Sequence, residues 1–126
     1  MCSSDLREAG SGARALLDAE LARAGLTPAD ARGYEAAVGS HLAVAEAIAA
    51  GLADAGVGIR AAAQALGLGF VALAEERYDL VIPRAFSEQP PVQALLDTLR
   101  SPLFRLEVEA LGGYDVSRMG DVVEAA

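Results

Sequence analysis

The residues with the clearest chemistry lie near the front of the chain, in Arg7-Glu8-Ala9-Gly10-Ser11-Gly12-Ala13-Arg14. Two glycines let the backbone turn tightly and approach a ligand. The helix expected after them points unsatisfied N–H groups and a positive dipole end at the same spot. Ser11 adds a hydroxyl, and Arg7 and Arg14 add fixed positive charge, so the segment reads as a cradle for a small anion. The same pattern also describes a Ser/Gly helix cap flanked by surface arginines, and from local pattern alone both readings stand.

Other chemistries find little support. Gly10-x-Gly12-x-x-Ala15 has the spacing of a dinucleotide fingerprint, but that motif requires a preceding apolar strand, and Asp5-Leu6-Arg7-Glu8 does not read as one. Gly56-x-Gly58-x-x-Ala61 follows a short apolar run, yet Glu75-Glu76 is too close to serve as a distinctive ribose-binding acid. The chain has no lysine, which excludes a Walker sequence, and it has no GxSxG elbow. His41 is the only imidazole and falls at a helix start, where the dipole lowers its proton affinity; a catalytic partnership with a serine or aspartate and a cleft-lining or backbone-bonded side chain both stand as readings. The adjacent carboxylates of Glu75 and Glu76 should diverge, so they make no glycosidase-like pair. No motif among these residues calls for a catalytic set, a metal or a cofactor.

Composition narrows the field further. The chain has 126 residues, 18 Asp+Glu against 10 Lys+Arg, and a formal net charge of −8. Such an acidic balance argues against direct nucleic-acid binding, which draws affinity from clustered basic residues. Cys2 is the single cysteine, so neither an internal disulfide nor a thiolate zinc site can form. With no long uncharged apolar run and no signal-like start, the chain is expected to stay off membranes and in the cytoplasm. Met1–Leu6 resembles a translated sequencing adapter, an expectation that makes residues 1–6 a non-native leader.

These residues need elements to hold them. Helical periodicity over Ala15–Ala24 ends at Gly25, and Thr27-Pro28-Ala29-Asp30 has the order of a short capped helix. Gly33–Gly39 is a link with room for a strand. Ser40 caps a helix over His41–Ala50 that Gly51 stops, and Arg60–Leu66 forms a further helix closed by Gly67. Ala55–Ile59 reads as a buried strand, and Phe70–Ala74 and Tyr78–Pro83 as two more. Alternation of strands and helices predicts an α/β domain with a largely parallel sheet. Pro90-Pro91 and Ser101-Pro102 then open two helices, through Arg100 and about Leu111, whose apolar positions suit docking on a surface. Glu107, Glu109, Asp115, Asp121 and Glu124 read as a solvated acidic face.

Taken as an ordered set, Gly10–Arg14, Ser40–Val44, Ala53–Ile59, Glu76–Pro83 and Leu111–Asp115 carry a family resemblance. The run from Arg7 to about Val116 resembles the second half of the type 2 periplasmic-binding-protein-like domain. That domain occurs in molybdate-type helix-turn-helix regulators and attached to molybdopterin biosynthesis proteins. The resemblance implies an N-terminally truncated three-layer αβα lobe over residues 7–82, with helices over 83–126 packing back toward a missing first lobe of the same domain.

It also implies a site: Arg7, Gly10, Ser11, Gly12, Ala13 and Arg14 on one side, with His41 and the Gly58-Ile59 turn as the facing wall. Related loops have threonine where this chain has Ala13, so one hydroxyl donor is lost while the backbone donors remain. The implied partner is a small anion such as molybdate or tungstate, bound by lobe closure without bond chemistry. DNA would be reached only through a module this chain lacks. The alternative is part of an exported solute-binding subunit of a transporter.

Overall fold

A computed structural model describes residues 4–123. Cys2 and Glu124 lie outside the described residues. The chain divides into two compact units between Phe70 and Val71.

The first unit is α/β, built on a parallel sheet of three strands in the order β2-β1-β3. These are β1 (Ser4–Arg7), β2 (Ala37–Val38) and β3 (Ala55–Gly56). Leu6 pairs with Ala37 and Arg7 with Val38, while Ser4 pairs with Ala55 and Asp5 with Gly56. The central strand thus uses its second half toward one neighbour and its first half toward the other. Helix α1 (Gly12–Arg23) follows β1, α2 (His41–Ala49) follows β2 and α3 (Arg60–Ala65) follows β3. Parallel strands demand such crossovers, because a chain must return to the same sheet edge before starting the next strand.

Local chemistry sets the helix limits where expected. Ser40 Oγ accepts the Ala43 N–H at 3.0 Å, capping α2. At its other end Leu52 N–H donates to Ala47 O and Gly51 N–H to Ile48 O, the paired bonds of a Schellman closure. Helices α1 and α3 close with the same pair, through Leu26 to Leu21 and Leu68 to Ala63. Between α1 and β2, Pro28–Asp30 makes one 3-10 turn. The Thr27 backbone N–H and hydroxyl both donate to Asp30 Oδ2 at 2.8 Å. These donors hold the Asp30 carboxyl below its ordinary range.

The core of this unit is made of small side chains. Val44, Ala45 and Ala47 of α2 are buried, with Ala53 and with Ala62 of α3. Alanine on the inner face lets α2 lie close to both β1 and α3, with which it makes its main contacts.

The second unit contains no strand among its described residues. It has a 3-10 turn at Arg84–Phe86, then α4 (Pro90–Arg100) and α5 (Pro102–Leu111). Each helix starts on a proline, where the missing N–H costs nothing. Arg105 donates to Val116 O at 2.7 Å and Met119 O at 3.2 Å, and Arg100 Nε donates to Gly120 O at 3.1 Å. The segment after α5 is thereby fastened to the helix pair, and Val116 is buried.

Three sequence expectations require correction. Phe70–Ala74 and Tyr78–Pro83 form no strand: their apolar patterns suit a sheet, but strand structure exists only through pairing, and these runs pair with nothing described. Ala55–Ile59 holds a strand of just two residues, Ala55 and Gly56, both exposed rather than buried. Conversely, Asp5-Leu6-Arg7 does lie in a strand, and a central one, because its two flanking strands supply the ladders that its composition does not advertise. On the C-terminal helices Leu103, Leu106 and Leu111 are exposed, and Val71, Tyr78 and Val81 before them are more exposed still.

Candidate functional site

All three strands are parallel, so their carboxyl ends, and the amino ends of the three helices that follow, lie along one edge of the sheet. From β1 the chain steps to β2 on one side and then crosses to β3 on the other. The loops that leave β1 and β3 therefore flank the point where the strand order reverses, the place where open α/β sheets hold ligands. The sequence-predicted residues fall on this edge: Gly10 to Arg14 after β1, His41 at the start of α2 after β2, and Gly58 and Ile59 after β3.

The first loop is a β-turn. Ser11 N–H donates to Glu8 O at 3.2 Å, and Gly10 occupies the third position with φ +89°, which a side chain would strain. Ser11 is the cap of α1, its Oγ accepting the Arg14 N–H at 3.2 Å. This leaves the N–H groups of Gly12 and Ala13, the first two of α1, with no hydrogen-bond partner among the described residues. Gly10 and Gly12 are exposed, so the bend is open rather than packed over. Of the donors expected from Ser11, the amide is committed to the turn, whereas the hydroxyl keeps its own proton to donate.

The two arginines are turned toward the protein. The Arg7 side chain is mostly buried and pairs with Glu8 Oε1 at 3.0 Å. Arg14 donates from Nη1 to the Arg7 carbonyl at 3.2 Å, lies 3.7 Å above the Tyr34 ring and has Nε 3.7 Å from Asp18 Oδ1. The Tyr34 hydroxyl in turn donates to Asp18 Oδ1 at 2.7 Å. Both cations are balanced by a neighbouring carboxylate, so the donors facing outward are backbone N–H groups and one hydroxyl.

The facing loops also meet. A Cβ placed on Gly58 would stand 3.8 Å from both His41 Nδ1 and His41 O, so the glycine lets the loop after β3 pass close to the imidazole. A Cβ on Gly39 would stand 3.8 Å from Glu8 Oε2, which sets that carboxylate beside the loop after β2. Ile59 is half-buried as the residue before α3. Sequence reasoning missed Glu8, Asp18 and Tyr34. The i,i+4 spacing of Arg14 and Asp18 was a usable signal, while Tyr34, 16 residues beyond Asp18, gave none.

Among the described residues no group of three or more His, Cys, Asp or Glu side chains could hold a metal ion, and no helix is long and apolar enough to cross a membrane.

A family model described as the PBP superfamily domain matches residues 6–100. The uncharacterised protein YvgK of Bacillus subtilis (strain 168) is 37% identical over 117 residues, 93% of this chain. The chain spans only 37% of that relative's length. An uncharacterised protein in the 5′ region of a 2Fe-2S ferredoxin gene of Clostridium pasteurianum is 38% identical over 109 residues, covering 86% of this chain and 96% of that one. No solved structure matches.

Proposed function

The chain belongs to the PBP superfamily domain family, matched over residues 6–100, and from that premise we propose that it is one lobe of a small-anion sensor of the molybdate or tungstate class. The observation that carries this reading is the pair of amides, Gly12 and Ala13, that have no hydrogen-bond partner among the described residues and lie at the open carboxyl end of the central strand. Backbone donors at a helix start suit an oxyanion, since they hold negative charge without the desolvation cost of a buried cation. The Ser11 hydroxyl adds a donor, and His41 with Gly58 and Ile59 form the wall across the edge.

The proposed lobe is of type 2 and three-layered. The steps from β1 to β2 and from β2 to β3 run in opposite directions, so right-handed crossovers put α1 and α2 on opposite faces of the sheet. A second lobe would close over the anion, and the population of the closed form would be the signal. The part of YvgK that this chain does not cover leaves length for such a lobe. In this reading the protein is no enzyme. It belongs to a cytoplasmic transcriptional regulator or a protein linked to molybdopterin biosynthesis, and DNA contact is left to another module.

A thermal-shift panel tests the reading. Molybdate and tungstate should raise the melting temperature of the chain only at millimolar concentration, since half of the clamp acts alone, whereas chloride at equal ionic strength should not. A ligand at one hundred times its dissociation constant stabilises the folded state by about 2.7 kcal/mol. Absence of any oxyanion-specific shift would count against the reading, and sub-micromolar affinity would contradict the half-clamp.

A further inference from the structure

We propose that Arg14, held by Tyr34 and Asp18, is a positioning residue that pre-forms the Glu8–Ser11 turn, and that it does not touch the bound anion. The proposal rests on the anion reading above for its consequence, but its geometry stands alone. Arg14 sits in the first turn of α1 and reaches back across the whole loop to the carbonyl of Arg7, the last residue of β1. That one bond ties the end of the strand to the start of the helix.

Three contacts decide where the guanidinium goes. Its carbon is 3.7 Å from the Tyr34 ring centroid, its Nε is 3.7 Å from Asp18 Oδ1, and the Tyr34 hydroxyl fixes that same carboxylate oxygen at 2.7 Å. Only about a tenth of the Arg14 side chain is exposed, at 11%. A planar guanidinium can stack on a ring and donate sideways at once, which an ammonium cannot do.

The loop it spans needs such a brace. Gly10 and Gly12 give the segment more freedom to lose than other residues would, and that loss falls on ligand binding unless the turn is already formed. With the brace in place the Ser11 N–H is committed to Glu8 O, and the Gly12 and Ala13 N–H groups stay aligned at the end of the sheet. Arg14 therefore acts on the anion through the turn.

The test uses the ¹⁵N-labelled chain and its variants Arg14→Lys, Tyr34→Ala and Tyr34→Phe. Two quantities are read: hydrogen-exchange protection of the Ser11 amide without ligand, against that of the Val44 amide, and the shift of the Gly12 and Ala13 amides on titration with molybdate. Arg14→Lys and Tyr34→Ala should cut Ser11 protection about tenfold, leave Val44 protection unchanged and weaken molybdate binding about five- to tenfold. Tyr34→Phe keeps the ring under the guanidinium and should retain most of both. Unchanged Ser11 protection in Arg14→Lys and Tyr34→Ala would overturn the proposal, most directly if Arg14→Lys still weakened molybdate binding, since Arg14 would then contact the anion. If Tyr34→Ala lowers Val44 protection as well, Arg14→Lys alone decides. Lost Ser11 protection in the variants with no molybdate response in the parent chain would uphold the brace and defeat the anion reading.

Discussion

The two units of this chain were written in much the same local code and folded to different ends. In the first, strands of two to four residues with undistinguished composition form a parallel sheet, because each has a neighbour to pair with. In the second, Phe70–Ala74 (its first residue still in the first unit) and Tyr78–Pro83 are longer and more apolar, yet form no strand and pair with nothing among the described residues. Helices behave alike in both units, since a serine cap or an N1 proline acts within one turn of chain. The difference teaches that helix boundaries are settled locally, whereas a strand is a relation between two segments and cannot be read from either alone.

The sharpest way to break this comparison is to cut equivalent side chains from the two regions. Val44 is 2% exposed and Val81 is 93% exposed. Val44→Ala should cost about 2 kcal/mol by urea denaturation, through lost burial and the cavity left behind, while Val81→Ala should stay within about 0.5 kcal/mol. Equal losses would mean that Val81 is packed, and the contrast between units would fail.

Glycines provide the next contrast. Gly120 has φ +86°, and a Cβ there would stand 2.7 Å from Arg100 Cγ and 3.3 Å from Arg100 N, whereas Gly25, at φ +71°, has open space around it. Gly25→Ala should cost about 1 kcal/mol from backbone strain alone. Gly120→Ala should cost more, because it also displaces the Arg100 side chain from the Gly120 carbonyl. A difference scanning calorimetry trace in which the two variants melt together would show that the fastening of the last loop is slack.

Helix caps give the smallest effect. Ser40→Ala removes a 3.0 Å bond to the Ala43 amide and should cost about 1 kcal/mol. Ser101→Ala removes one of 3.5 Å to the Phe104 amide and should cost less. Circular dichroism melts of the two variants check the order.

What could be read beforehand follows the same division. Ser40, Gly51, Pro90 and Pro102 marked helix ends that the structure keeps, since each acts on backbone groups a few residues away. The Gly10–Arg14 bend was legible because a β-turn and a serine helix cap are set by residues a few positions apart. Its setting was not. Nothing in Asp5-Leu6-Arg7 announces a central strand, because that status comes from Ala37–Val38 and Ala55–Gly56 lying on either side. Arg14 was read as charge for a ligand, and the brace that claims it depends on Tyr34, brought back to α1 by the chain reversal around Pro28–Asp30.

If the Gly12 and Ala13 amides at the start of α1 receive a small anion, tungsten's anomalous scattering locates it directly. Crystals of the chain equilibrated with saturating tungstate should show one tungsten peak with its oxygens in hydrogen-bond reach of the Gly12 and Ala13 nitrogens. A peak settled elsewhere on the molecule, with those amides facing only solvent, would contradict the account.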